Sequence, residues 1–212
     1  GFLFPPTGFL PAVEKWARER GLVFTLDEVQ SSYGRTGKFF AMEWEGLTPD
    51  LVSIGKGIGS GAPVSAIAAR GETIGCLTHG EMSSTLGGNP VSSAAVVAVI
   101  DIMKREKLVE NSLRMGEMMM KRLLEIKERS PYIGDVRGRG LIMGVELVKD
   151  KKTKEPAPEL VRKMIDLCAE HGLLIGSVGV FGNVIRVAPP LVINEAEANE
   201  SLDLFAAALA KL

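Results

Sequence analysis

The sequence predicts an α/β protein, because apolar runs of strand length alternate with segments of helical periodicity along most of the chain. Two of these runs, residues 22–26 and 51–55, are followed directly by residues with ionisable side chains that are common in catalytic sites. In α/β folds, ligands bind beyond the carboxyl ends of the strands. We therefore expect a site formed by Asp27 at the end of the first run and Lys56 at the end of the second.

The predicted elements follow one another in a regular order. Thr7 is expected to cap a first helix that ends near Arg20, and residues 22–26 are expected to form a buried strand. Pro90 is expected in the first turn of a later helix, with Asn89 shaping the entry. Further helices are predicted at about 90–106, 108–128, 159–171 and 195–212, and further strands at 51–55, 64–69, 141–147, 173–176 and 184–187.

Two domains are predicted. Up to about Glu106, strands and helices are joined by loops typical of an α/β unit. Beyond Pro131, longer polar connections separate the elements, which is typical of a smaller α+β domain. We therefore expect one domain at 1–106 and a second at 107–212. The methionine-rich segment of the helix at 108–128 is expected to pack in a core or between helices.

Composition and charge exclude several classes of protein. With 46% hydrophobic and 24% charged residues, the chain has the composition of a globular protein. A net charge of −1 without a basic cluster argues against nucleic acid as a partner. No apolar run reaches the roughly 18 residues that a membrane span needs. Cys76 and Cys168 lack C-x-x-C spacing and are expected to be reduced thiols of a cytoplasmic protein. The 2 histidines lack ligand spacing, so no metal is expected.

The glycine-rich loop after Lys56 permits more than one interpretation at first. Residues 57–62 match the formal G-x-G-x-x-A pattern of dinucleotide-binding proteins. That pattern needs a helix immediately afterwards to bind the pyrophosphate, whereas Pro63 and Val64 favour another strand. A Walker loop is also excluded, because its lysine follows the glycines. Asp27 alone could be an acid–base catalyst, a metal ligand or the partner of a bound cation.

A lysine and an acid at two strand ends suit pyridoxal phosphate particularly well. That cofactor needs a lysine amine for its Schiff base and an acid beside its ring nitrogen. A carboxylate there keeps the nitrogen protonated, so that the ring can accept electrons from the α-carbon of an amino acid. A lysine partly removed from water can lose its proton and become a nucleophile. We therefore expect Lys56 to bind this cofactor covalently.

Five co-linear motifs resemble those of class III aminotransferases, which are pyridoxal-phosphate enzymes of fold type I. The motifs are Asp27-Glu-Val-Gln-Ser-Ser-Tyr-Gly-Arg-Thr-Gly37, Pro49-Asp-Leu-Val-Ser-Ile-Gly-Lys-Gly-Ile-Gly59, Ser84-Thr-Leu-Gly-Gly-Asn-Pro90, Val136-Arg-Gly-Arg-Gly-Leu141 and Asn183-Val-Ile-Arg-Val-Ala-Pro-Pro-Leu191. The resemblance covers nearly the whole chain in the family's order. It implies that 1–106 is the C-terminal part of the large, mostly parallel-sheet domain, and that 107–212 is the small C-terminal α+β domain.

The resemblance implies roles for five residues. Lys56 forms the Schiff base and then carries a proton between substrate and cofactor, while Asp27 pairs with the pyridine nitrogen. Gln30 hydrogen-bonds on the side of the cofactor's 3-oxygen. Thr85 donates its hydroxyl to the phosphate in the neighbouring subunit, so at least a homodimer is expected. Arg186 binds a substrate carboxylate with its two-pronged guanidinium.

Two further expectations concern neighbouring residues. Glu28 points away from Asp27 along the strand, and we expect it to organise the adjoining loop instead of facing the cofactor. The family carries part of its pocket upstream of the segment seen here, and the opening Gly1-Phe-Leu-Phe-Pro-Pro lacks an initiator methionine. We therefore expect a fragment of a longer protein that binds pyridoxal phosphate poorly by itself.

The resemblance implies transfer of an amino group from an amino acid to a 2-oxo acid. The segment 179–186 is most similar to that of 4-aminobutyrate and related ω-amino acid aminotransferases. Two alternatives stay open. An amino-acid racemase or epimerase of the same family would use the same Lys56, Asp27 and Arg186, and a catalytically incomplete chain would serve only as a folded or dimerising module.

Overall fold

The computed structural model describes every residue from Gly1 to Leu212, and the chain divides into two units. One unit is Pro5–Val109, and the other joins Gly1–Phe4 to Glu110–Leu212. The first four residues therefore belong with the C-terminal half of the chain. We expected a division near residue 106 into part of a large domain and a small domain. The assignment of the two units to those domains stays a prediction.

The N-terminal unit is built on a three-stranded mixed sheet with the order β1-β2-β3. Its elements are α1 (Phe9–Arg18), β1 (Thr25–Asp27), β2 (Leu51–Ile54), β3 (Ala66–Ala69), α2 (Gly71–Ile74) and α3 (Pro90–Arg105). β1 pairs with β2 in parallel, and β3 pairs with β2 in antiparallel fashion. Because β1 and β2 are parallel, their carboxyl ends lie at the same edge of the sheet.

Two expectations at the start of this unit are wrong. Thr7 does not cap α1; Gly8 occupies that position, and its N–H donates to Glu45 Oε1 at 3.4 Å. The first strand is also shorter and more exposed than predicted, since Leu22 and Val23 are 48% and 62% exposed. The Asp50 carboxylate accepts the Phe24 N–H at 2.8 Å, and the paired register of β1 with β2 begins at Thr25.

The entry to α3 confirms the role expected for Asn89 and Pro90. Asn89 Oδ1 accepts the backbone N–H groups of Val91 and Ser92, both at 3.0 Å. Pro90 follows as the first helical residue. Proline has no backbone N–H, and an N–H at this position would have no partner within the helix. Local sequence chemistry therefore defines where this helix begins.

The C-terminal unit is built on a four-stranded antiparallel sheet with the order β4-β5-β7-β6. Its elements are α4 (Leu108–Arg129), β4 (Ile133–Arg139), β5 (Ile142–Leu147), α5 (Pro158–Glu170), β6 (Gly176–Val178), β7 (Val184–Val187) and α6 (Glu195–Leu209). The mixed sheet of the first unit and the helix-covered sheet of the second confirm the predicted α/β class.

The core of the C-terminal unit lies on one face of its sheet. Alternate residues of β5, including Met143 and Val145, are fully buried against α4, α5 and α6. Met115 and Met119 of α4 are each 1% exposed and belong to the same cluster, which confirms the packing expected for the methionine-rich segment. None of the helices combines the length and the apolar character that a bilayer crossing requires.

Two strands of this unit differ from prediction. Residues 136–140 were expected only to lead into a strand, but Ile133–Arg139 forms the whole of β4. Gly134 and Gly138 interrupt the apolar alternation there, which hides the strand in the sequence. The strand expected at 173–176 lies instead at Gly176–Val178. The Leu173 N–H donates to Cys168 O at 2.9 Å and closes the end of α5, so pairing starts later.

Candidate active site

The carboxyl ends of β1 and β2 bring Asp27 and Lys56 to one edge of the sheet. Asp27 is the last residue of β1 and lies opposite Ser53 of β2. Lys56 follows three residues later, as the first residue of a 3-10 turn, Lys56–Ile58. Both side chains are exposed in this chain. The structure thus confirms that the two groups share one sheet edge, as the order of the strands predicts.

The amine of Lys56 donates a hydrogen bond to Gln30 Oε1 at 3.0 Å. This is the only side-chain hydrogen bond that Lys56 makes in the chain, and it forms no ion pair. Gln30 follows β1 at the same edge of the sheet, so the amide and the amine meet where the two strands end. The sequence resemblance assigned Gln30 to the cofactor, and this contact with Lys56 was not expected.

The backbone of Lys56 adopts an uncommon conformation between two closely packed glycines. Its φ of 47° lies in the left-handed region, which residues other than glycine seldom occupy. A Cβ built on Gly55 would lie 3.2 Å from Val29 Cγ1, and one on Gly57 would lie 3.1 Å from Tyr33 Cβ. The glycines therefore let the loop after Asp27 approach the Lys56 backbone closely.

Asp27 uses only one of its two carboxylate oxygens within the chain. Oδ1 accepts the backbone N–H of Val29 at 2.9 Å, which orients the carboxylate. Oδ2 makes no hydrogen bond, and no cation pairs with the group. The orientation is therefore fixed while one oxygen stays available to a ligand.

Glu28, the next residue, is 2% exposed and has a different role. Its carboxylate accepts the hydroxyl of Ser31 and the backbone N–H groups of Ala41 and Met42, the latter two at 3.1 and 2.7 Å. These donors lie at both ends of the loop that follows β1. The structure thus confirms that Glu28 organises the loop.

Thr85 is not brought into contact with Lys56 or Asp27. It is exposed in the loop that precedes α3, and its hydroxyl makes no hydrogen bond within the chain. A cleft of about 390 Å³ lies at the start of α3, lined by residues that include Ser65, Ser84 and Asn89. The loop therefore presents polar groups outward.

Arg186 belongs to the C-terminal unit. It lies on β7, opposite Gly144 of β5, on the sheet face that the helices do not cover. Its side chain is exposed and pairs with no carboxylate, and its guanidinium carbon lies 5.9 Å from the centre of the Phe2 ring. A cation stacked on an aromatic ring keeps its hydrogen-bond donors free.

Phe2 is held beside Arg186 by a second arginine. Arg137 donates to Phe2 O at 2.9 Å and to Gly1 O at 2.8 Å. The same guanidinium pairs with Asp135 at 2.9 Å and Glu146 at 2.7 Å. Burial lowers the pKa of Arg137, but the hydrogen bonds to the two acids outweigh burial and raise it above its usual value.

Sequence reasoning missed three residues that support these side chains. Tyr33 packs against Gly57, and Phe2 and Arg137 adjoin Arg186. The two glycines around Lys56 were a signal that something approaches the backbone there, but not of what approaches. The contacts of Phe2 join residues more than 130 positions apart, for which the sequence carries no local signal.

Comparison with known proteins gives matches over almost the whole chain. The family model described as aminotransferase class-III matches residues 1–209. The alanine/serine racemase of Pyrococcus horikoshii is 43% identical over 99% of this chain and 44% of the racemase. The 4-aminobutyrate aminotransferase of Mycobacterium tuberculosis is 41% identical over 100% of this chain and 48% of that enzyme. The chain thus spans about half the length of the curated relatives it matches.

Solved structures agree with these matches. An aminotransferase from Bacillus anthracis superposes on 100% of the chain with a TM-score of 0.95, at 33% identity. The chain covers 50% of that aminotransferase. This likeness confirms the fold expected from the five motifs. The chain belongs to the class-III aminotransferase family.

Proposed function

We propose that the protein carrying this chain is a pyridoxal-phosphate-dependent aminotransferase, which moves an amino group from an amino acid to a 2-oxo acid. One observation carries the proposal. In a chain of the class-III family, the amine of Lys56 and the carboxylate of Asp27 lie at the carboxyl ends of two parallel, paired strands. A covalent anchor and an acid are the two groups this cofactor requires.

The side chains at this edge fit the cofactor in two respects. Lys56 offers an amine that is paired with no acid, only with the neutral amide of Gln30. Asp27 offers an oriented carboxylate with one oxygen unused, which suits a protonated ring nitrogen. This donor set supports an organic cofactor at the sheet edge.

When bound, pyridoxal phosphate supplies an electron sink for the bonds at the substrate α-carbon. Lys56 would hold the cofactor through its amine; once the substrate amino group had displaced it, the freed amine would take a proton from the substrate α-carbon and donate it back as a general base and acid. Asp27 would keep the ring nitrogen protonated through its negative charge. Gln30 orients the Lys56 amine and hydrogen-bonds on the side of the 3-oxygen.

Arg186 is proposed to bind a carboxylate of the substrate. The support is that its guanidinium is exposed, stacks near Phe2 and has no acidic partner in the chain. A guanidinium can donate two parallel hydrogen bonds to a carboxylate, which fixes the orientation of the substrate. Because a relative with 41% identity is a 4-aminobutyrate aminotransferase, we propose an ω-amino acid such as 4-aminobutyrate as the donor.

Thr85 is proposed to bind the cofactor phosphate of a neighbouring subunit, which makes the protein at least a homodimer. The support is that Thr85 is exposed and has no partner within its own chain. The free thiols of Cys76 and Cys168 support a cytoplasmic location. We further propose that the N-terminal unit belongs to the large domain of the family and that the C-terminal unit is its small domain.

The proposal is tested with the full-length natural protein that carries this chain. Incubation with pyridoxal phosphate is expected to produce a visible absorbance band that Lys56→Ala abolishes. Lys104→Ala, at an exposed position of α3, serves as the matched control and is expected to keep the band. A band that survives Lys56→Ala, or a full-length protein without any band, would contradict the proposal and favour a non-catalytic module.

A second candidate is an amino-acid racemase. It is favoured by the 43% identity to the alanine/serine racemase of Pyrococcus horikoshii. Such an enzyme would use the same Lys56 and Asp27 but return the proton to the α-carbon. Incubation of one amino-acid enantiomer with and without 2-oxoglutarate separates the two, because a racemase needs no acceptor. Inversion without acceptor favours the racemase, and acceptor-dependent product favours the aminotransferase.

A further inference from the structure

The conformation of Lys56 requires support from outside its own segment. A residue with a side chain at a φ of 47° is strained, and such strain persists only where the surrounding structure holds the backbone in place. Within the 3-10 turn, Ile58 N–H donates to Gly55 O at 3.3 Å and Gly59 N–H to Lys56 O at 3.2 Å. These local bonds close the turn, but they do not determine where it lies against the rest of the unit.

Tyr33 supplies one external contact. It is 6% exposed, its Cβ is the nearest atom to a Cβ built on Gly57, and its own φ of 53° is also left-handed. Its ring packs against Phe39 and Phe40, with ring centres 4.9 and 6.4 Å away. The position of Tyr33 against Gly57 therefore depends on the fold of the whole loop between β1 and the 3-10 turn at Ala41–Trp44.

Glu28 fixes that loop at both ends. Its carboxylate binds Ser31 at the start of the loop and the N–H groups of Ala41 and Met42 at the end. Its own N–H donates to Ser53 O at 2.9 Å, which ties Glu28 to β2 just before Lys56. Glu28 thus closes the loop through its carboxylate and is joined to the strand that carries the lysine through its backbone N–H.

We propose that Glu28 and Tyr33 are positioning residues for Lys56. Glu28 closes the loop, and the closed loop presses Tyr33 against Gly57. That contact holds Lys56 in its left-handed conformation, with its amine directed to Gln30. The inference rests on the proposed function, because it assigns these residues to the lysine that would bind the cofactor. Neither side chain touches the reacting atoms in this account.

The experiment uses the full-length protein with pyridoxal phosphate bound. Gly57→Ala, Tyr33→Ala and Glu28→Ala are each expected to reduce kcat about 10- to 100-fold, since a small displacement of a reacting group has effects of this size. KM is expected to stay within about threefold, because substrate binding does not involve these residues. The pH midpoint of the lysine-dependent absorbance band is expected to shift in all three variants.

Conservative variants and controls make the test specific. Tyr33→Phe keeps the ring and is expected to restore most of the loss seen in Tyr33→Ala. Glu28→Gln keeps one acceptor oxygen and is expected to lie between wild type and Glu28→Ala. Glu125→Gln, at an exposed position of α4, is the matched control and is expected to change neither kcat nor the midpoint. Circular dichroism identifies any variant that fails to fold.

The outcomes separate this inference from the proposed function. If Lys56→Ala keeps the absorbance band, the proposed function itself fails. If Lys56→Ala abolishes the band but Gly57→Ala and Tyr33→Ala leave kcat and the pH midpoint unchanged, only the positioning role is overturned. Should Glu28→Ala fail to fold, those two variants decide the result.

Discussion

The Lys56 amine lies 3.0 Å from the Gln30 amide oxygen, at the edge where two parallel strands end. The contact joins residues 26 positions apart and gives a flexible side chain a defined direction. The amide is a neutral acceptor, so it orients the amine without forming an ion pair with it. An amine so placed is suited to attack a carbonyl carbon.

Gln30→Met is expected to weaken binding of pyridoxal phosphate about 5- to 10-fold, because one hydrogen bond to the anchoring amine is lost while the side-chain length is kept. Spectrophotometric titration with the cofactor measures this. Glu125→Met is the control for adding a methionine at an exposed position. Unchanged affinity in Gln30→Met would show that the amide does not contribute.

Asp27→Asn is expected to reduce kcat about 100-fold or more, because the negative charge beside the ring nitrogen is removed. The asparagine oxygen can still accept the Val29 N–H, so the local backbone is retained. Steady-state rates check the prediction, with Asp101→Asn on the exposed side of α3 as the control. A kcat within about threefold of wild type would exclude an electrostatic role for Asp27.

Arg186→Lys is expected to raise KM for an amino-acid substrate such as 4-aminobutyrate by about 10- to 100-fold, because an ammonium cannot reproduce the paired hydrogen bonds that a guanidinium donates to the substrate carboxylate. An amine substrate without that carboxylate is expected to show no change in KM. The control is Arg162→Lys, at an exposed position of α5. Equal effects on both substrates would contradict carboxylate recognition.

Glu14 provides a prediction for pH-dependent stability. Burial raises the pKa of its carboxyl, but hydrogen bonds from Arg18 and Thr48 outweigh burial and hold the pKa below its ordinary value of 4.5. Because the folded pKa is depressed, the carboxylate stabilises the fold above about pH 4.5, and this contribution is lost as the pH falls through the folded value.

Glu14→Gln is therefore expected to lower the free energy of unfolding by about 1 to 3 kcal/mol at pH 7. The difference from wild type is expected to shrink as the pH falls from about 4.5 through the folded pKa, because Glu14 then becomes protonated in the folded state as well. Urea denaturation across this pH range measures this. Glu19→Gln, at the C-cap of the same helix with an exposed 3.9 Å ion pair to Lys15, should have little effect. A pH-independent difference for Glu14→Gln would refute the linkage.

Much of the fold follows from local sequence signals. β2 and β7 are short runs in which three of four residues are apolar, and Asn89-Pro90 defines the start of α3, so these elements could be predicted closely. β4 could not, because glycines and arginines occupy positions where alternation would be apolar. The late start of β1 at Thr25 could not be predicted either, since the Phe24 N–H is bonded to the side chain of Asp50, 26 positions away.

The candidate site also has features that could be predicted from the sequence and features that could not. That Asp27 and Lys56 lie at one edge of the sheet was predictable, because parallel strands end at the same edge. The Gln30 contact depends on the rotamer of a side chain after the strand. The supports from Tyr33 and Phe2 are tertiary contacts between segments whose sequences show no relation. Positioning contacts of this kind depend on the three-dimensional packing of the loop against the strand, which local sequence patterns do not specify.

The most direct test asks whether pyridoxal phosphate becomes covalently attached to Lys56. The full-length protein is incubated with pyridoxal phosphate, reduced with borohydride and digested, and the peptides are analysed by mass spectrometry. We predict that the peptide containing Lys56 carries the reduced cofactor and that no other lysine of this chain does so to a comparable extent. An unmodified Lys56, or a label placed chiefly on another lysine, would contradict the central claim.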